Sequence, residues 1–193
     1  TPTNIIYGLG AIKGVGEGAV ESIVDARRRE GPFKDLYDFC RRVDIKKVNK
    51  RTLEGLINAG CFDDFAATLR PDLPADEAYE IRGALMSQLP SAVQAAEQDR
   101  QNREIGMMDL FGEMDGVVAA PPLMMTPELI WGDKHRLKAE KNTLGLYLTG
   151  HPIDEYRDEL KRYTSGARLD KLTDTGYNGS CYFAGLIIDI ANF

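Results

Sequence analysis

Residues 13–18 read Lys13-Gly14-Val15-Gly16-Glu17-Gly18, and residues 46–51 read Lys46-Lys47-Val48-Asn49-Lys50-Arg51. In the first stretch, closely spaced glycines let the backbone turn sharply and approach a ligand closely. Behind it, Ile5, Ile6, Leu9 and Ile12 recur at helical spacing. Ahead of it, Ala19, Val20, Ile23, Val24 and Ala26 make one face of a second helix. Glu17 and Glu21 open that helix and Arg27, Arg28 and Arg29 close it, as its macrodipole favours. Gly31-Pro32 is a stop signal. Asp35 then reads as the N-cap of a helix with the stripe Leu36, Phe39, Cys40 and Val43. The second stretch follows Asp44-Ile45, and Asn49 caps a helix carrying Leu53, Leu56 and Ile57 that Gly60 ends. The spacing predicts two consecutive helix–turn–helix units over 5–60, a tandem repeat of one supersecondary element.

The chemistry open to these turns follows from their position. A helix start carries unpaired N–H groups and the positive end of the dipole, which together favour an anion. The first turn is neither a Walker A loop, since no Gly-Lys-Ser/Thr ends it, nor a dinucleotide fingerprint, since the preceding segment reads helical. A tight interhelical turn with no ligand fits it equally well. The second turn lacks the glycine pair but carries four cations at the same place in its unit. Two such units in series can hold both strands of a duplex through phosphate contacts, which position without specifying.

Composition narrows the classes. The chain has 193 residues, 43% hydrophobic and 28% charged, which fits a folded chain and excludes a wholly disordered one. No apolar run approaches the ~20 residues that span a bilayer, and no signal peptide is visible, so a cytoplasmic protein without membrane contact is expected. The net charge of −6 hides a split: residues 1–51 carry +4 and the remainder −10. A basic region can bind phosphate while the rest faces solvent or other proteins. Arg27–Arg29 are read as complements to a helix dipole. Cys40, Cys61 and Cys181 form no close pair, and His135 and His151 have no metal-ligand spacing to them, so free thiols and no metal site are expected. No Ser/His/Asp or Cys/His arrangement is visible, and no catalytic residue is assigned. Trp131 reads as a core anchor.

Beyond residue 66 the order is a loop over 68–76, a helical stretch over 76–104 with a break near Pro90, and the short apolar run Met107-Met108-Asp109-Leu110-Phe111. Residues 115–128 are proline-rich. A helix from about 127–133 through Leu137, Leu144 and Leu148 closes at Gly150 and Pro152, and another covers about 153–162. Residues 181–190 are β-branched and aromatic, hence a strand. The opening Thr1-Pro2-Thr3 and the stop just after a single strand read as cuts from a longer chain.

Residues 5–65, together with Glu140-Lys141-Asn142-Thr143-Leu144-Gly145-Leu146-Tyr147-Leu148-Thr149-Gly150-His151-Pro152, resemble the bacterial DNA polymerase III alpha subunits, the C-family replicative polymerases. The first region is similar to their tandem helix–hairpin–helix region and the second to the segment before their OB domain. The resemblance implies a mainly α fold: a tandem helix–hairpin–helix domain (1–66), a helical extension ending in a clamp-binding loop (67–114), a proline-rich linker (115–132), a helical segment (133–178) and the first strand of a truncated OB-fold (179–193).

It also implies that Lys13, Gly14, Val15, Gly16 and Gly18, with Lys46, Lys47, Val48, Asn49, Lys50 and Arg51, hold newly made double-stranded DNA without reading its sequence. Met107, Met108, Asp109, Leu110 and Phe111 would bind a sliding clamp, although Met107 stands where the family motif has Gln. Other replicase subunits are expected partners. The catalytic aspartates and their Mg²⁺ would lie upstream, so no cofactor is expected within these residues. Two rival classes stay open: a helix–hairpin–helix module of a DNA repair enzyme, and a structural connector with no DNA binding of its own.

Overall fold

A computed structural model describes residues 7–104 and 121–164, together with positions 182, 184, 185 and 187. The described residues are mainly helical, and no strand occurs among them. Most of the expected strand over 181–190 and all of the run 107–111 lie outside the described residues. The chain divides into two compact units, Thr1–Tyr147 and Leu148–Phe193.

Among the described residues the first element is a 3-10 turn, Leu9–Ala11, where the apolar spacing predicts a helix over 5–12, whose positions 5 and 6 lie outside the described residues. Gly8 and Gly10 flank and occupy that turn, and each glycine disfavours helix by about 1 kcal/mol. Helix α1 (Glu17–Glu30) buries Ala19, Ile23 and Ala26, the face read from the sequence. Helix α2 (Leu36–Arg42) starts where Asp35 accepts from the Asp38 amide at 2.8 Å, and it buries Leu36, Tyr37, Phe39 and Cys40. Arg42 closes the corner between α1 and α2: its guanidinium donates to the carbonyls of Ala26 (3.0 Å) and Gly31 (2.6 Å) and to Asp38 (2.9 Å). Helix α3 (Lys50–Asn58) is capped by Asn49 and buries Leu53, Leu56 and Ile57. Paired bonds from Gly60 N to Ile57 O and from Cys61 N to Leu56 O end it.

After the short helix α4 (Ala66–Leu69) and a 3-10 stretch (Ala75–Ile81), α5 runs unbroken over Arg82–Glu104. The break expected at Pro90 is absent, because the helix is fixed by tertiary packing. Leu85, Leu89, Ala92 and Ala96 are buried at helical spacing against α2 and α3, while Pro90 itself is exposed. Water on that exposed side can serve the Met86 carbonyl, which proline cannot.

Of the expected linker, residues 121–131 lie against α5. Leu123, Met125 and Trp131 pack on the core, and Gln88 Nε2 donates to Pro122 O at 3.2 Å. Gly83 makes this contact possible: a Cβ there would collide with the Leu129 carbonyl. Helix α6 (Asp133–Leu144) stops at Gly145, short of the end expected near Leu148. It buries Arg136, Leu137, Glu140 and Thr143 along one face. In the second unit, a 3-10 turn (Asp154–Tyr156) leads into α7 (Arg157–Thr164), and Asp154 accepts from the His151 amide at 2.9 Å.

Candidate nucleic-acid interface

The two turns quoted at the outset lie side by side. In the first, Lys13, Gly14 and Gly16 are exposed, and Gly14 adopts φ +91°, a conformation that a residue with a Cβ adopts only with strain. Gly16 is the N-cap of α1 and no side chain caps it. The first bonds into the helix run from the Ala19 and Val20 amides to Gly16 O, so the Glu17 and Gly18 amides precede the intrahelical ladder. In the second turn, Lys46, Lys47, Asn49, Lys50 and Arg51 are exposed. The Asp44 carbonyl accepts from the Lys47 and Val48 amides, and Asp44 Oδ1 accepts from the Lys46 amide at 3.0 Å.

One hydrogen bond and two close approaches at glycines join the two units at the turns. The Thr52 hydroxyl donates to Gly14 O at 3.2 Å. A Cβ on Gly55 of α3 would stand 3.5 Å from Lys13 O, and one on Gly18 would stand 3.9 Å from the Lys47 side chain. Asn49 Oδ1 accepts from the Thr52 amide at 3.0 Å, so the cap of α3 and the bridge to the first turn share one residue.

Val15 and Val48 sit at equivalent places in the two units and are both buried, at 6% and 0% exposure. Their amides donate internally, to Ile12 O and Asp44 O. They anchor the turns in the core, while the exposed faces belong to their neighbours. Beside the second turn, a groove is lined by Glu21, Ser22, Asp25, Arg28, Arg29, Asp44 and Lys47. Its three carboxylates offset its three cations, which fits the reading of Arg28 and Arg29 as helix-end residues.

The sequence reading did not find what holds the turns from behind. Arg82 is 1% exposed and donates both to Asp63 (2.6–2.8 Å) and to Glu140 (2.8 Å), which is wholly buried. Burial opposes the Arg82 charge, but the hydrogen bonds and charges of the two carboxylates outweigh it and hold the guanidinium above its ordinary range. Burial pushes the Asp63 carboxyl up, against the pull of Arg82. The far end of α6 meets the first turn: the Lys13 amide donates to Thr143 O at 3.0 Å, and the Tyr7 hydroxyl donates to Leu144 O at 3.0 Å. The signal that could have found this was a charged residue, Glu140, falling on the same helical face as Leu137 and Leu144.

Among the described residues, no group of three or more His, Cys, Asp or Glu side chains is placed to hold a metal ion. Cys40 and Cys61 are free thiols. Trp131 packs on the core and tilts against His135 at 4.7 Å. Among the described residues, no helix is long and apolar enough to cross a membrane.

Comparison with known proteins agrees with the geometry of the turns. Residues 1–71 match the helix-hairpin-helix motif family. The DNA polymerase III subunit alpha of Vibrio cholerae is 46% identical over 184 residues, which is 95% of this chain and 15% of that protein. The same subunit of Pseudomonas aeruginosa is 50% identical over 167 residues, 82% of this chain and 14% of its own length. That of Escherichia coli K12 is 42% identical over 188 residues, again 95% of this chain and 15% of the relative. The chain thus spans about one seventh of the length of these relatives. With a helix-hairpin-helix motif at its start and this identity along almost all of its length, the chain is a homologue of one segment of the DNA polymerase III alpha subunit.

Proposed function

We propose that the chain holds double-stranded DNA by its phosphates, without reading base sequence, through the Lys13–Gly18 and Lys46–Arg51 turns. Lys13, Lys46, Lys47, Lys50 and Arg51 supply the charge. The Glu17 and Gly18 amides at the start of α1 donate to one phosphate oxygen. Gly14 permits the turn, Asn49 orients the second one, and Val15 and Val48 anchor both. The observation that carries this reading is the junction of the turns through Thr52 and Gly14, which sets five exposed cations and an uncapped helix start on adjacent corners.

The larger protein to which such a segment belongs would carry out template-directed DNA synthesis with Mg²⁺, in the cytoplasm, alongside other replicase subunits. The segment would hold the new duplex behind the active site. Met107, Met108, Asp109, Leu110 and Phe111 would tether it to a sliding clamp, with Leu110 and Phe111 seated in an apolar groove. The domain divisions at 66, 114, 132 and 178, with an OB-fold beginning near 179, belong to the same proposal.

Fluorescence anisotropy with a labelled duplex tests the DNA reading. If about four phosphates are contacted, log K falls with log salt at a slope of roughly −3 to −4. Lys13→Glu with Lys47→Glu removes most of the binding. Salt-independent binding, or binding that survives this pair, overturns the reading, and no duplex binding at all favours a connector. For the clamp, Leu110→Ala with Phe111→Ala abolishes co-elution with the cognate clamp, and unchanged co-elution overturns that part.

A further inference from the structure

The matched motif ends at residue 71, yet the first turn is braced by residues far beyond it. Glu140 and Thr143 lie one turn apart on the buried face of α6, at 0% and 8% exposure. Glu140 is fixed by Arg82 of α5, and Thr143 O takes the Lys13 amide. Arg82 also holds Asp63, five residues beyond the end of α3, the helix that begins at the second turn. A continuous path therefore runs from the base of the second unit through Asp63, Arg82, Glu140 and Thr143 to the apex of the first. Thr52 and Gly14 close the ring at the exposed end.

Taking the DNA reading as given, we infer that Glu140 is a positioning residue for the first turn. It touches no phosphate. It fixes the rotation and height of α6, and so the place of the Thr143 carbonyl that directs Lys13 and the glycines after it. The physical ground is the environment of the pair. A fully desolvated carboxylate depends on its buried guanidinium partner, and without the Glu140 charge the Arg82 guanidinium is held by Asp63 alone and no longer pulls on α6. The backbone bond at Lys13 adds what a side chain could not. It fixes the Ile12–Lys13 peptide plane, one residue before Gly14 turns to φ +91°. By this inference the DNA-holding unit runs to Tyr147, the edge of the first compact unit.

The test uses the whole 193-residue chain. Amide hydrogen exchange is followed at Lys13, and duplex anisotropy is measured over a range of salt, for the native chain and for Glu140→Gln. In the native chain the Lys13 amide exchanges together with the core amides of α6. Glu140→Gln speeds that exchange by about tenfold or more. It weakens duplex binding about fivefold while leaving the salt slope as it was, because no phosphate contact is removed. Lys47→Glu does the reverse: it flattens the slope and leaves Lys13 exchange unchanged. An unchanged Lys13 amide and unchanged affinity in Glu140→Gln overturn the inference, as does a native Lys13 amide exchanging as fast as that of Glu17. That last comparison needs no variant and decides the matter even if Glu140→Gln does not fold. A native chain that binds no duplex overturns the DNA reading instead, and the exchange data then judge the brace by itself.

Discussion

The Thr52 hydroxyl donates to the carbonyl oxygen of Gly14 across 3.2 Å, joining the first turn of α3 to the apex of a glycine turn 38 residues earlier. The same hydroxyl lies 3.3 Å from Asn49 Oδ1, but that oxygen already accepts from the Thr52 amide. Thr52 is 3% exposed, so no water replaces it readily. Thr52→Val keeps the shape and removes the donor, losing the net worth of one hydrogen bond, about 0.5–1.5 kcal/mol. Urea unfolding should show that loss, duplex affinity should fall with it, and Thr52→Ser should recover most of both.

Gly16 caps α1 in extended conformation, at φ −83° and ψ 164°, and a side chain there would meet nothing within 4 Å. Gly16→Asp places a carboxylate against the first amides of α1, and helix capping and the dipole then stabilise the fold by a few tenths to about 1 kcal/mol. The same carboxylate occupies the site proposed for phosphate. Melting temperature should therefore rise while duplex affinity falls. If both rise, the α1 start is not a phosphate site.

Pro90 stands inside α5 with no N–H to offer the Met86 carbonyl, and its own side chain is exposed. Pro90→Ala supplies the missing donor without disturbing Leu89 or Ala92. Stability should increase by about 1–3 kcal/mol in urea unfolding, given the usual penalty of proline in a helix interior. Duplex binding should not change.

Burial, reinforced by the charge of Asp35, pushes the Cys40 thiol up to about 12, whereas an unfolded chain titrates it near ~8.5. Folding therefore favours the protonated form. The contribution to stability is complete below about pH 8.5 and is lost as pH rises through about 12. Urea midpoints should decline over that window. Cys40→Ala, with lower stability throughout, should show a shallower decline. Tyr37, whose hydroxyl burial also pushes up, adds a fall in the same direction and keeps some slope in the variant.

What could be read in advance was whatever chain neighbours decide among themselves. Asp35 and Asn49 announce α2 and α3 because a cap and its target lie three residues apart, and the bonds to Asp38 and Thr52 are where that spacing puts them. The Lys and Gly residues of the two turns are likewise marked by type and order. Pro90 misled because a local penalty of a few kcal/mol is overridden by the packing of Leu85, Leu89 and Ala92, which spans distant helices. Arg82 gave no sign of its role. Its partners lie 19 and 58 residues away, and nothing local distinguishes a buried arginine from a surface one. Val15 and Val48 are marked by their place in the same turns, while the inward direction of their side chains depends on the core around them.

The absence of a side chain at Gly83 has a consequence for how this segment can vary. Even a single methyl would displace the Leu129 carbonyl and, with it, the peptide that leads into Trp131 and α6. Substitutions at that position would be felt through α6 at Lys13, whose amide bonds the Thr143 carbonyl. A hydrogen atom in the first turn of α5 thereby limits how freely the face proposed to hold nucleic acid can drift.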